Sequence, residues 1–188
     1  CPTQAAVFAD LDSDGWHDLF VGNESRVEFD GKGNYPSQLF RSQGDGSFRD
    51  VTAAAGVRND RYAKGAMAGD YDDDGDLDLY VSNMHANSRW ALFHPEFPSP
   101  VPWPYRLLGL LFPERVQQRS DEIIDRLTRG SSLYRNDGNG HFTDVSDATG
   151  LRDAQWGWAA EFLDYDDDGR LDLYVTNGFI SGPLLDDV

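Results

Sequence analysis

Cysteine is almost absent from this chain of 188 residues, which contains a single one, Cys1. One cysteine excludes an internal disulfide framework. Basic residues are also scarce: 16 Lys and Arg stand against 33 Asp and Glu, and the formal charge of −17 argues against nucleic acid as a partner. No segment approaches the length of an apolar membrane span. The length allows one domain with a sizeable core.

Residues arranged for catalysis are lacking as well. Histidine is rare, and none of the four lies in a nucleophile motif: His17, His85, His94 and His141. Ser82 and Ser146 occur without a G-x-S-x-G context. Paired carboxylates for glycoside chemistry cannot be told from metal ligands by sequence alone. We therefore predict no enzyme activity for this chain.

Aspartate is abundant, in three near-copies of one loop. The copies are DLDSDGWHD (10–18), DYDDDGDLD (70–78) and DYDDDGRLD (164–172), each with aspartate at loop positions 1, 3, 5 and 9 and glycine at position 6. Carboxylates about 5 Å apart repel by roughly 1–3 kcal/mol. A hard divalent cation offsets that cost, and Ca²⁺ accepts six to eight oxygens in a flexible shell. The glycine lets the backbone turn so that the position-7 carbonyl and the last carboxylate reach the ion. The sequence predicts three calcium sites.

Other proteins that bind cations through D-x-D-x-D-G loops fit less well. EF-hands and dockerin modules need a carboxylate at position 12 and flanking helices, but position 12 is Val21, Val81 or Val175 in a β-prone run. Thrombospondin-type arrays place cysteines between the loops. Magnesium prefers a strict octahedron and retained waters. Aspartate-rich turns without a metal are the alternative for any single copy.

The loops belong to a longer repeat. QLFRSQGDGSFRDVTAAAGV (38–57) matches SLYRNDGNGHFTDVSDATGL (132–151) at an offset of 94, which also separates Asp70 from Asp164. Asp10 and Asp70 are 60 residues apart, so the second unit carries an insertion of 34 residues. Each unit predicts four antiparallel strands, with a glycine-containing hairpin between the last two. Four strands every 60 residues is typical of a β-propeller blade.

We predict an all-β fold with blade units at 4–57, 64–151 and 158–188, the last incomplete. The insertion at 84–131 begins with a proline-rich stretch that cannot be regular sheet. Its second half predicts a helix over 113–129, which starts at Pro113 and is capped by Gly130. This helical insertion is expected to pack over one propeller face, or to act as a lid that binds a partner.

KGAMAGDYDDDGDLDLYVSN (64–83) and WAAEFLDYDDDGRLDLYVTN (158–177) resemble FG-GAP, or VCBS-type, repeats, which build the seven-bladed propeller of integrin α subunits. SLYRNDGNGHFTDVSDATGL and NGFISGP are similar to the cartilage acidic protein family, whose members often carry an ASPIC/UnbV module that is not found here. The resemblance implies that this chain supplies about two and a half of an expected seven blades. Residues 1–188 would then be part of one propeller domain, completed by the remaining blades of a longer chain or shared among several chains.

The resemblance also implies calcium ligands at positions 1, 3, 5 and 9 and at the position-7 carbonyl. Site one would comprise Asp10, Asp12, Asp14, the Trp16 carbonyl and Asp18. Site two would comprise Asp70, Asp72, Asp74, the Asp76 carbonyl and Asp78. Site three would comprise Asp164, Asp166, Asp168, the Arg170 carbonyl and Asp172.

Two functions follow as expectations. The first is a propeller stabilised by structural calcium that serves adhesion or protein interaction outside the cell, at the cell surface or in the periplasm, with an unidentified protein or glycan ligand. The alternative is a carbohydrate-binding or enzymatic propeller whose active face is built by other blades, with Trp156 and Trp158 as candidate sugar-stacking residues. Cys1 also allows a lipidated N-terminus, although no flexible tether follows it.

Overall fold

The computed structural model describes residues 3–25, 35–83, 129–154 and 157–177, and these form three antiparallel sheets of a partial β-propeller. The all-β prediction is confirmed. The four strands of the first sheet are β1 (Thr3–Ala9), β2 (Asp18–Asn23), β3 (Gln38–Ser42) and β4 (Phe48–Asp50). The second sheet consists of β5 (Ala63–Gly69), β6 (Asp78–Asn83), β7 (Ser132–Asn136) and β8 (Phe142–Asp144). In the third, β9 (Gly157–Leu163) pairs with β10 (Asp172–Asn177).

Strand order follows chain order in both complete blades, so each is an up-and-down meander. The register is the same in the two copies. Leu19 pairs with Phe40 in the first blade, and Leu79 pairs with Tyr134 in the second. The offset of 94 found in the sequence therefore corresponds to equivalent positions in space.

The second strands of the two complete blades lie in the interior. All six residues of β6 are buried, and Phe20 of β2 is fully buried. β1 packs against β5, and β5 packs against β9, so the first strands of successive blades face one another. A Cβ atom on Gly69 would lie 2.4 Å from a ring carbon of Phe162, which shows how closely the second and third blades approach. The hydrophobic core therefore lies between the blades, as in a stack of repeats that stabilise their neighbours.

The crossover from the first blade to the second contains one short helix that the sequence pattern did not predict. α1 (Thr52–Ala55) follows β4 and ends at Gly56, whose φ of 80° is left-handed. Ala55 and Val57 are buried in the core. The crossover then places Arg61 among the carbonyl oxygens of Gly130 and Ser131, at 3.1 and 3.2 Å from Nη1. The segment thus ties the two blades together through polar as well as apolar contacts.

Several predictions fall outside the described residues. The proline-rich stretch and almost all of the helix expected at 113–129 belong to the segment 84–128, and the end of the third unit belongs to 178–188. The division into one propeller domain stays a prediction. Within the described ranges, no helix has both the length and the apolar character needed to cross a membrane.

Candidate metal centres

The three acidic loops occupy the same place in the fold. Each joins the first strand of a blade to the second: residues 10–18 follow β1, residues 70–78 follow β5, and residues 164–172 follow β9. Glycine at position 6 is required by the backbone, because Gly15, Gly75 and Gly169 have φ values of 90°, 95° and 87°. The position-4 residues are also left-handed, at about 60°. The local sequence therefore specifies one tight loop three times.

The position-1 aspartate closes each loop through hydrogen bonds to the backbone. In loop one, Asp10 Oδ1 accepts the Asp14 N–H at 3.0 Å and Oδ2 accepts the Gly15 N–H at 2.9 Å. Asp70 makes the same two bonds in loop two, and Asp164 makes them in loop three. These bonds hold the position-1 carboxylate at the centre of the turn.

The position-5 aspartate fixes the residue from which the position-7 carbonyl would come. Its Oδ1 accepts the backbone N–H of position 7 at 2.9 Å in all three loops. The residues held in this way are Trp16, Asp76 and Arg170. Their ligand role through the carbonyl oxygen stays a prediction.

The position-9 aspartate connects the loop to the rest of its blade. Asp18 Oδ2 accepts the Leu11 N–H at 3.3 Å, and its Oδ1 accepts the Ser42 N–H at the end of β3, at 2.9 Å. Asp78 repeats the arrangement with the N–H groups of Tyr71 and Asn136, at 2.9 and 2.8 Å. Both carboxylates are buried. The last predicted ligand is therefore also the attachment point of the third strand.

The structure brings three carboxylates of each loop into one cluster whose oxygen atoms lie within 4.8 Å of one another. Positions 1 and 3 take part in every cluster. Position 5 completes the first cluster, and position 9 completes the second and third: Asp10, Asp12 and Asp14; Asp70, Asp72 and Asp78; Asp164, Asp166 and Asp172. Asp18, Asp74 and Asp168 lie in the same loops but outside these tightest groups. Oxygen atoms alone make up each cluster, which suits a hard cation.

Burial raises the pKa values of the deeper carboxylates. The pKa of Asp78 rises from 3.8 to about 6, chiefly because the carboxylate is desolvated, although N–H groups of Tyr71 and Asn136 oppose the shift. Burial also raises the pKa of Asp18. Burial, followed by the charges of Asp74 and Asp70, raises the pKa of Asp72. A bound cation would favour the charged forms and reverse these shifts.

Asp12 provides the observation that tests whether these loops suit a metal. Its side chain is only 6% exposed, and its Oδ2 is 2.6 Å from Arg41 Nε. Its Oδ1 is buried and has no hydrogen-bond partner in the described part of the chain. A buried carboxylate oxygen without a partner is costly, and a cation bound within the cluster would satisfy it. The residues of loop one therefore fit a calcium ion.

Two side chains at this centre were not singled out from the sequence. Arg41 pairs with Asp12, whereas its repeat equivalent Arg135 pairs with Asp137 of its own hairpin. Asn136, at the end of β7, contacts both loop one and loop two. The only sequence signal was the recurrence of the hairpin motif, which marks the repeat but does not show which loop a side chain reaches.

The other candidate residues lie apart from the loops' carboxylate clusters or outside the description. His17 and His141 are exposed, and His85 and His94 fall within 84–128. Trp158 is 48% exposed, and Lys64 Nζ lies 5.6 Å from the centroid of its ring. Trp156 is not among the described residues. A sugar-binding role for this region stays a prediction.

Comparison with known proteins agrees with this architecture. The family model for the FG-GAP-like repeat matches residues 10–81 and 123–175, which include all three acidic loops. Cartilage acidic protein 1 from Mus musculus is 25% identical over 181 residues, and the same protein from Homo sapiens is 26% identical over 183 residues. Each match covers 86% of this chain but 26% of the relative, so the chain spans about a quarter of the length of the curated relatives it matches. The chain belongs to the FG-GAP-like repeat family.

Proposed function

We propose that this chain is part of an extracellular β-propeller scaffold for adhesion or protein interaction, and that Ca²⁺ bound in its three loops stabilises it. The observation that carries the calcium proposal is the buried, unpartnered Oδ1 of Asp12 inside a cluster of carboxylates. The repeated hydrogen-bond pattern supports extending it to loops two and three. The proposed ligand set is the one predicted from the sequence, from Asp10 to Asp18, Asp70 to Asp78 and Asp164 to Asp172 at positions 1, 3, 5, 7 (carbonyl) and 9.

The role proposed for calcium is structural. Each loop closes the hairpin between the first two strands of a blade, and in the first two blades the position-9 aspartate also holds the third strand to that hairpin. An ion that binds only the folded state adds about 2.7 kcal/mol per site when its free concentration is a hundredfold above the dissociation constant. Three such sites would together rival the net stability of an ordinary domain, about 5–15 kcal/mol.

Two observations support the proposal of an extracellular setting: the exposure of a candidate calcium loop and the name of the similar proteins. The third loop is exposed throughout, and exposed sites are expected to bind calcium weakly, in the range of about 10⁻⁴–10⁻³ M that extracellular EF-hand modules reach. Such sites fill where calcium is millimolar. The relatives carry the name cartilage acidic protein 1, and this chain is itself acidic, with a formal charge of −17. The partner is proposed to be a protein or glycan, and further blades of the same propeller are proposed to flank this segment.

A thermal melt of the full chain tests the proposal. The unfolding midpoint should rise by many degrees between excess EGTA and millimolar Ca²⁺, while the same concentration of Mg²⁺ should give a much smaller rise. The matched control replaces the position-3 aspartates together (Asp12→Asn, Asp72→Asn and Asp166→Asn), which keeps side-chain size while removing charge. That variant should lose the calcium-dependent rise. A midpoint that is the same with and without calcium would contradict the proposal.

A further inference from the structure

Asn136 is the point at which the first two acidic loops meet. Its side chain is 1% exposed, and its Nδ2 donates to Leu11 O at 2.8 Å and to Leu77 O at 3.0 Å. Leu11 lies between Asp10 and Asp12 of loop one, and Leu77 precedes Asp78 of loop two. The backbone N–H of Asn136 donates to Asp78 Oδ1 at 2.8 Å. One buried residue therefore holds the backbone of one candidate site and a carboxylate of the other.

Loop one is attached to the same β7–β8 hairpin at a second place. Arg41 binds Asp12 and also donates from Nη2 to Asn139 O at 3.1 Å. Gly140 packs against this pair so closely that a Cβ atom would lie 2.6 Å from Arg41 Nη2 and 3.2 Å from the Asp12 Cβ. The hairpin of the second blade thus forms one wall of the first blade's loop.

We propose that Asn136 couples calcium binding in loop one to calcium binding in loop two. An ion bound in either loop then raises the calcium affinity of the other loop. This inference rests on the proposed calcium function. An ion in loop two orders Asp78, which fixes the end of β7 and with it the amide that holds Leu11. The side-chain amide of Asn136 is buried and donates to both loops. A shift of one loop therefore displaces this amide and, through it, the other loop. Coupling between two sites is typically 5–150-fold in affinity.

The first blade suggests a substitution that removes the link to loop one and keeps the backbone bond to Asp78. Ser42 occupies the equivalent position, and its backbone N–H binds Asp18 just as Asn136 N–H binds Asp78. Its hydroxyl accepts the Gly44 N–H at 3.3 Å, as the Asn136 Oδ1 accepts the Gly138 N–H at 3.1 Å. Asn136→Ser therefore retains the backbone bond to Asp78 and the side-chain bond from the Gly138 N–H, and it loses the bonds to Leu11 O and Leu77 O. Its folding is checked by circular dichroism.

Terbium provides a readout that reports on loop one. Tb³⁺ occupies calcium sites, and Trp16 at position 7 can sensitise its luminescence; among the described parts of the three loops, only loop one contains a tryptophan. Tyr71 and Tyr165 of the other two loops can also sensitise Tb³⁺, so the luminescence is excited at the long-wavelength edge of the tryptophan band, where tyrosine does not absorb. Under that excitation, Trp16→Phe should abolish the loop-one signal and so assigns it. The loop-one affinity for Tb³⁺ is measured with loop two intact and with loop two disabled by Asp72→Asn and Asp74→Asn. The ratio of the two affinities is the coupling factor.

We expect a coupling factor of about tenfold in the parent chain, and less than about twofold in Asn136→Ser. Ser13→Ala is the control. It removes a direct contact between the two loops, the exposed bond from Ser13 Oγ to Asp76 Oδ1 at 3.4 Å, and it should leave the coupling factor unchanged. If Tb³⁺ binds loop one but Asn136→Ser keeps the parent's factor, the coupling proposal is wrong and the calcium function stands. If Tb³⁺ and Ca²⁺ do not bind at all, both fail.

Amide exchange gives a second test that leaves Asn136 in place. In the chain with loop two disabled, filling loop one with Ca²⁺ should slow exchange at the Asn136 amide by about tenfold, because the hairpin is held from the other side. Unchanged exchange at that amide would overturn the proposal even if Asn136→Ser did not fold.

Discussion

Metal-free protein should become more stable as the pH falls from 7 to 5, which is opposite to the behaviour expected when calcium is bound. The perturbation acts on Asp78, whose pKa is raised from 3.8 to about 6 by burial. A folded-state pKa above the unfolded value means that the folded chain binds the proton more tightly. At pH 7 the buried Asp78 carboxyl is therefore charged, and this charge destabilises the folded state. As the pH falls through 6 towards 3.8, the carboxyl takes up a proton in the folded chain before it does so in the unfolded chain, and the folded state gains stability.

The size of the effect follows from the two pKa values. Protonation linkage at this one carboxyl raises the free energy of unfolding by about 1.3 kcal/mol between pH 7 and pH 5. Asp12, Asp18 and Asp72 act in the same direction, because burial raises their pKa values too. With calcium bound, protons compete with the ion for the same oxygens, and acidification should destabilise the protein.

Urea denaturation of metal-stripped protein at pH 7, 6 and 5 measures the effect, with a parallel series in saturating Ca²⁺. Asp78→Asn should reduce the rise by about 1.3 kcal/mol. Asp172→Asn is the matched control, because Asp172 has the same loop position but is exposed, and it should keep the full rise. A metal-free stability that is flat or falls with acidification would refute the reasoning, as would equal slopes in the two variants.

Two further predictions concern the ion pair of loop one and the packing between the second and third blades. Arg41→Met should lower the free energy of unfolding by about 1–3 kcal/mol, because it leaves the buried Asp12 carboxylate without its ion pair; Arg135→Met, which removes an exposed pair with Asp137, should cost less than about 1 kcal/mol in the same urea titration. Equal losses of stability in the two variants would contradict the prediction that the Arg41–Asp12 pair contributes more than the exposed Arg135–Asp137 pair. Gly69→Ala should cost about 1–3 kcal/mol, because its Cβ would lie 2.4 Å from the Phe162 ring, and adding Phe162→Leu should recover part of the loss. A neutral Gly69→Ala would mean that the second and third blades do not pack as described.

Local sequence was enough to predict the loops and strands. Aspartate spacing, the glycine at position 6 and the β-prone run after it specify the same turn three times. In each turn the position-1 aspartate accepts hydrogen bonds from residues four and five positions away. The hairpin glycines and the offset of 94 similarly fixed the order and pairing of the strands within each blade. These features depend on short-range geometry, which the order of residues encodes directly.

The environment of the loops was decided only by tertiary structure. Three loops with the same aspartate positions differ in burial: Asp18 and Asp78 lie beneath a third strand, whereas Asp172 is exposed among the described residues. Arg41 and Arg135 are equivalent in sequence, yet one reaches a loop carboxylate and the other its own hairpin. Asn136 meets Leu11 across 125 residues of chain. Such contacts depend on how distant strands of a blade pair and how neighbouring blades stack, because this long-range packing sets which polar groups lose water and which neighbours they find.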